Sequence, residues 1–118
     1  MTKIISTQNA THFDWGHDCH GWFLKNDGLF SVISEEMPPQ AFEIPHYHEK
    51  MEQCFYVLRG CLTMVVDGKN HTLLAGDSLI IYPKQVHQAI NTSHQLVQFL
   101  VISSPNNRED RVNLDESI

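Results

Sequence analysis

The chain has no run rich in Lys or Arg, and its 118 residues carry a formal charge of −6. Nucleic acid and anionic membranes are bound through a basic footprint, so neither is expected as a partner. No stretch approaches the roughly 18 apolar residues that a membrane-spanning helix needs. Residues Met1 to Ala10 lack the charged start and long apolar run of a signal peptide, and a cytoplasmic protein is the expectation. Cysteine is scarce: Cys19, Cys54 and Cys61, with no CxxC pair. An odd number without a secretion signal argues against a disulfide framework, so these read as buried or half-buried thiols. Cys19 would become reactive only if the neighbouring His20 approached it in space. Internal repeats, low-complexity stretches, linkers and sustained helical periodicity are also missing. The expectation is one domain spanning residues 1–118, long enough to bury a core without staples.

What the sequence does contain is short runs rich in Val, Ile, Phe and Tyr. They are punctuated by Gly, Pro, Asn and Asp about every eight to twelve residues, the signature of an all-β sandwich or barrel. Expected strands are Gly21 to Leu24, Leu29 to Ser34, Ala41 to Pro45, Gln53 to Leu58, Leu62 to Val66, His71 to Ala75, Ser78 to Tyr82, His87 to Ile90 and Gln95 to Ser103. Asp67-Gly68 is a strong two-residue hairpin signal. N-terminal strands would occupy residues 1–36, the barrel core about 37–104, and a polar tail 105–118. Many short antiparallel strands point to a jelly roll or similar closed architecture.

The densest polar cluster at a strand boundary runs from Pro45 to Gln53. Residues two apart on a strand point the same way, so His46 and His48 can aim both imidazoles at one point. Gln53 shares a strand face with Phe55 and Val57, and His87 begins another strand after Pro83-Lys84. Three imidazoles and an amide oxygen suit a borderline divalent ion. Taken alone, a His-x-His pair is more often a surface pair. Neutral imidazoles are required, so metal affinity is expected to fall below about pH 6.5, the unperturbed histidine value.

These residues fall into a pattern that resembles the cupin superfamily. His46-Tyr47-His48, four residues, Gln53, six residues and Gly60 match its first motif. Gly76, Tyr82-Pro83-Lys84, His87 and Asn91 match the spacing of its second. The resemblance covers roughly Met37 to Ile102 and implies a double-stranded β-helix, a jelly-roll cupin barrel. It implies one divalent metal ion (Fe, Mn, Ni or Zn) held by His46, His48, Gln53 and His87, and a homodimer. Gln53 stands where the family usually has Glu, and Tyr82 and Lys84 replace Pro and Gly of the second motif. Glu52 remains the alternative fourth ligand, because the family also allows three spacer residues.

Other residues read as structural or solvated. Tyr47, between two ligands, points away from them. His12, His17, His71 and His94 read as surface residues, Trp15 and Trp22 as core or dimer contacts, and Met64 and Phe99 as core. Arg108 and Arg111 read as solvated, although Arg108 could reach an anionic ligand if the tail folds over the barrel mouth. No Asp or Glu is evident on an inward strand position, which weakens chemistry that needs a protein acid or base. Two functions stay open: a metal-dependent enzyme acting on a small polar or anionic molecule, by dioxygenase, isomerase or related chemistry, and a non-catalytic module that binds or senses such a ligand.

Overall fold

The computed structural model describes residues 2–114. Eleven strands run β1 (Thr11–Trp15), β2 (Cys19–Asn26), β3 (Ser31–Met37), β4 (His46–His48), β5 (Glu52–Arg59), β6 (Cys61–Val66), β7 (Lys69–Leu74), β8 (Ser78–Ile81), β9 (His87–Ile90), β10 (Val97–Ser104) and β11 (Arg111–Asn113). There is no α-helix among the described residues, only a 3-10 turn at Arg108–Asp110. Among the described residues no helix is long and apolar enough to cross a membrane. Six strands form one sheet in the order β1-β2-β3-β10-β5-β8, and five form the other in the order β11-β4-β9-β6-β7. All pairings are antiparallel. The result is the expected all-β double-stranded β-helix.

Strand alternation builds the core. On β5, Gln53, Phe55 and Val57 are buried while Glu52, Tyr56 and Leu58 are exposed. On β6, Leu62, Met64 and Val66 face inward, and on β10 Val97, Phe99, Val101 and Ser103 do so. These inward faces meet between the sheets, where Phe99, Met64 and Met37 are wholly buried, as the sequence indicated for Met64 and Phe99. Asp67 and Gly68 both adopt positive φ, +49° and +83°, and close the β6–β7 hairpin as a primed turn. Gly60 ends β5 at φ +88°, where a Cβ would lie 2.8 Å from the Leu96 carbonyl oxygen. Only glycine fits both the backbone angle and that approach.

Three expectations need correction. Ala41 to Pro45 is not a strand; Phe42 makes a single isolated bridge with Ile90. The third strand does not stop at Ser34 but continues through Glu35 and Glu36 to Met37. The tail is not simply solvated. Its strand β11 pairs with β4, with Arg111 opposite His48 and Asn113 opposite His46. Residues 115–118 of the expected tail lie outside the described residues. Strand β1 adds an edge that the sequence reading did not delimit, held by a cross-strand contact of Phe13 over Gly21 that leaves no room for a Cβ.

Candidate metal centre

Strand β4 supplies His46 and His48 on its inward face, and the register sets His87 of β9 directly opposite His46. All three imidazoles are buried, and one ring nitrogen from each lies within 4.8 Å of the others. Their tautomers follow from their partners. His46 Nδ1 lies 2.9 Å from the Ile44 carbonyl oxygen, and His87 Nδ1 lies 2.9 Å from the Gln85 carbonyl oxygen. A carbonyl can only accept, so both Nδ1 atoms carry the proton and donate. His48 Nδ1 donates in the same way to Asp110 Oδ1 at 2.9 Å. Each ring therefore keeps its Nε2 lone pair for something else, and His87 Nε2 has no partner although it is buried.

Gln53 faces this group from the other sheet. Its Nε2 donates to Ser103 Oγ at 3.0 Å, which fixes the amide and leaves the buried Oε1 without a hydrogen bond. A buried amide oxygen and a buried imidazole nitrogen left unpaired each cost free energy, and Gln53 lines the same cavity as His46 and His48, which is a reason for one shared occupant. The set of three Nε2 lone pairs and one amide oxygen suits a borderline divalent cation. Glu52, the alternative ligand, is exposed on the opposite face of β5, while Gln53 is 7% exposed.

The histidines are held neutral. Burial, with His87 nearby, pushes His46 down to about 2, and burial pushes His87 down to about 4. Burial also lowers His48, against the opposing pull of Asp110. Proton competition for a metal therefore begins at lower pH than the value of about 6.5 expected for ordinary histidines. Burial would raise the Asp110 carboxyl, but the amides of Lys50 and Met51 donate to it at 2.8 and 2.9 Å and outweigh burial, so it stays ionised.

Beside the histidines lies a small cavity of about 80 Å³, with an apolar part of its wall that includes Phe13, Trp15, Met51 and Phe55. Glu35 and Glu43 also line it, which overturns the expectation of no inward acid. Glu35 occupies the position between Ile33 and Met37 on β3, one residue beyond the expected strand end at Ser34. Desolvation, reinforced by Glu43, raises its carboxyl to about 8. Desolvation raises Glu43 to about 7, against Arg111 and a hydrogen bond from the Ala89 amide at 2.9 Å. Glu43 Oε1 lies 3.7 Å from Arg111 Nη2 and 3.9 Å from His46 Nδ1. The latter is a weak contact, since that nitrogen already donates to Ile44. Arg108 and Arg111 reach the cavity from the returning tail, so their solvated reading is replaced by a place at its rim.

The remaining candidates fall outside the site. Asn91 of the second motif is a structural knot: its Nδ2 donates to the carbonyls of Met37, Pro38 and Gln95. Cys19 is buried, donates to the His17 carbonyl, and has its thiol pushed up to about 12 by burial and by Glu43. His20 alternates to the other face of β2, so no activated thiol pair forms. His71 and His94 are exposed, as expected. Trp15 packs edge-on against Phe99 and donates its indole N–H to the His20 carbonyl.

The cupin domain family matches residues 33–103. Over 68 residues the chain is 40% identical to quercetin 2,3-dioxygenase of Bacillus subtilis (strain 168), a stretch covering 58% of this chain and 20% of that protein. The chain thus matches about a fifth of that relative's length. Among solved structures, the polyketide cyclase RemF from Streptomyces resistomycificus superposes with a TM-score of 0.85 at 22% identity, covering 99% of this chain and 88% of that one. A Streptomyces Pac13 variant solved with uridine gives 0.82 at 12% identity, covering 98% and 92%. At these identities the structural likeness speaks for the fold.

Proposed function

Because this chain belongs to the cupin domain family, we propose that it is a metal-dependent enzyme whose substrate is a small molecule bearing a carboxylate. His46, His48, Gln53 and His87 hold one divalent ion. The observation that carries this is the convergence of buried, unpaired acceptors, with Gln53 Oε1 and His87 Nε2 both lacking any other partner. Such an ion acts as a Lewis acid toward oxygen atoms of a bound substrate.

The chain's own residues supply the rest. Arg108 and Arg111, at the cavity rim, offer planar donors suited to a carboxylate. Phe13, Trp15 and Phe55 supply the apolar part of the cavity wall. Glu35 and Glu43 are carboxyls whose protons leave near neutral pH, the range in which a general acid or base works. They favour an enzyme over a passive binding module, which would gain nothing from two cavity-lining acids that titrate near neutral pH. Iron, manganese, nickel and zinc all suit the donor set, and oxygen chemistry would require a redox-active one.

Untagged protein is expected to carry about one equivalent of divalent metal per chain at neutral pH, measured by elemental analysis. His46→Ala/His48→Ala should lose it. Dialysis at pH 6 should leave the wild-type occupancy unchanged, because His46 and His87 remain neutral there. Wild-type protein without metal at neutral pH, after loading and dialysis, would sink the proposal.

Glu35 has a separate signature. Its folded pKa, about 8, lies above its ordinary value of 4.5, so the folded state holds a proton that the unfolded chain has lost between them. Stability from this group is intact below about pH 4.5 and declines as pH rises toward 8. Glu35→Gln should therefore match wild type near pH 4.5 and become progressively the more stable protein toward pH 8.5, by less than the full linkage value of about 4–5 kcal/mol because Glu35 is only half-buried. Thermal unfolding across that range checks it; a difference constant with pH would place Glu35 in contact with water.

The outer face of the six-stranded sheet carries Tyr56, Ile80 and Ile102, each more than a third exposed, with Cys54 between Ile80 and Ile102 in the register. A second copy of the chain is the occupant proposed for this face, in a two-fold dimer. Light scattering at micromolar concentration should return a dimer mass for wild type and a monomer mass for Tyr56→Asp/Ile102→Asp.

A further inference from the structure

A second group of metal-ligating side chains lies on the outer face of the β1–β2 hairpin, away from the cavity. His12 and Asp14 are two apart on β1 and share a face, while Phe13 and Trp15 point to the cavity side. Across the ladder, Asp14 stands opposite His20 and His12 opposite Trp22. His12 Nε2 lies 2.9 Å from His20 Nδ1 and 3.5 Å from Asp14 Oδ1, and His20 Nδ1 lies 3.2 Å from the same oxygen. These three atoms form a compact triangle. Ligand atoms held about 2.1 Å from one ion at angles of 90–109° are about 3.0–3.4 Å apart, and the three sides span that range closely.

We infer that His12, Asp14 and His20 form a second site for a borderline divalent transition ion, distinct from the buried histidine cluster. Two imidazoles and one carboxylate are the donor types that zinc, nickel and copper favour over calcium or magnesium. The donors come from a span of nine residues within one tight hairpin, so the chain pre-sets their spacing and little ordering entropy remains to be lost. The His12 and His20 side chains are 42% and 44% exposed and that of Asp14 is 80% exposed, so the ion would keep water or an external ligand in its open positions. It should exchange readily, unlike an ion buried between the sheets. The indole of Trp22 lies 5.4 Å from the His12 ring and 6.2 Å from the His20 ring, near enough for a bound copper ion to quench its fluorescence.

The test titrates untagged, metal-stripped full chain with Zn(II) by calorimetry and with Cu(II) by tryptophan fluorescence. Wild type should take up about two equivalents of Zn(II) in two classes. His12→Gln/His20→Gln should lose one whole equivalent, and most of the Cu(II) quenching with it. His46→Ala/His48→Ala should retain that equivalent. If only the buried centre fails to bind, wild type takes one equivalent and His12→Gln/His20→Gln takes none, which still supports the hairpin site. The proposal is overturned if His12→Gln/His20→Gln binds as many equivalents as wild type, whatever the buried-site variant does. Both side chains are more than two-fifths exposed, so unchanged circular dichroism is expected and makes the loss readable as a loss of ligands.

Discussion

Asp110→Ala should cost the protein about 3–5 kcal/mol of stability and lower metal affinity at the buried centre by about 10–100-fold. The carboxylate is buried against three donors, the His48 ring and the amides of Lys50 and Met51, all between 2.8 and 2.9 Å. Removing it leaves the His48 ring and the Met51 amide unpaired at residues 6% and 1% exposed, where water cannot readily replace the lost acceptor, while the exposed Lys50 can turn to solvent. A buried unsatisfied donor costs about 1–3 kcal/mol. The metal effect has another origin. Asp110 fixes the proton on His48 Nδ1 and so keeps Nε2 free; without it the ring can turn or change tautomer, and part of the binding energy goes into restoring it. Asp110→Asn should fall between, since its oxygen can still accept from the ring or from an amide while its NH2 group cannot accept at all. Thermal unfolding of metal-free protein measures the first effect, and calorimetric titration with Zn(II) the second. Equal affinities for wild type and Asp110→Ala would mean that His48 is oriented by packing alone.

Asp110 also shows where sequence reasoning stops. The His-x-His pair, the inward parity of Gln53 and the position of His87 at a strand start were all legible, because each depends on spacing within one strand or one turn. So was the hairpin at Asp67-Gly68, a two-residue signal. Asp110 stands 62 residues from His48, and nothing local marks the short polar segment Arg111-Val112-Asn113 as a strand. Its pairing with β4 is imposed by the edge that β4 leaves open. Arg108 and Arg111 reach the cavity rim only because of that pairing. Glu35 was a different kind of loss. The alternation Ile33, Glu35, Met37 is visible in the sequence, but the expected strand ends at Ser34, ahead of Pro38-Pro39. Burying a carboxyl there runs against the local hydrophobic pattern, and that conflict is what a functional position looks like from the sequence side. Glu43 sits in a segment that alternates like a strand without pairing as one, so its inward parity was present but not used.

Gln53→Glu should raise metal affinity by at least about tenfold while weakening the binding of small 2-oxo or 2-hydroxy acids by about the same factor. Wild-type Gln53 presents a neutral oxygen, so three neutral imidazoles and an amide leave the ion's full charge in place. The ionisable groups around the histidines are Asp110 behind His48, Glu43 3.9 Å from His46 and only partly ionised at neutral pH, and the two arginines at the rim, so positive charge still exceeds negative. That balance suits an anionic ligand on the metal side of the cavity. A glutamate at this position would neutralise half of the ion's charge and compete with an incoming carboxylate for it. The substitution is geometrically mild. Ser103 now accepts from the Gln53 amide, and its hydroxyl, wholly buried, can rotate to donate to a carboxylate oxygen instead. Metal-free Gln53→Glu should be less stable than wild type at neutral pH, because a carboxylate is then buried beside unpaired acceptors, and metal should more than restore it. One calorimetric series, with Zn(II) first and lactate or pyruvate second, reads both affinities. They must move in opposite directions: if Gln53→Glu leaves both unchanged while Glu52→Ala strips the metal, the exposed neighbour is the ligand and the charge balance described here does not govern the site.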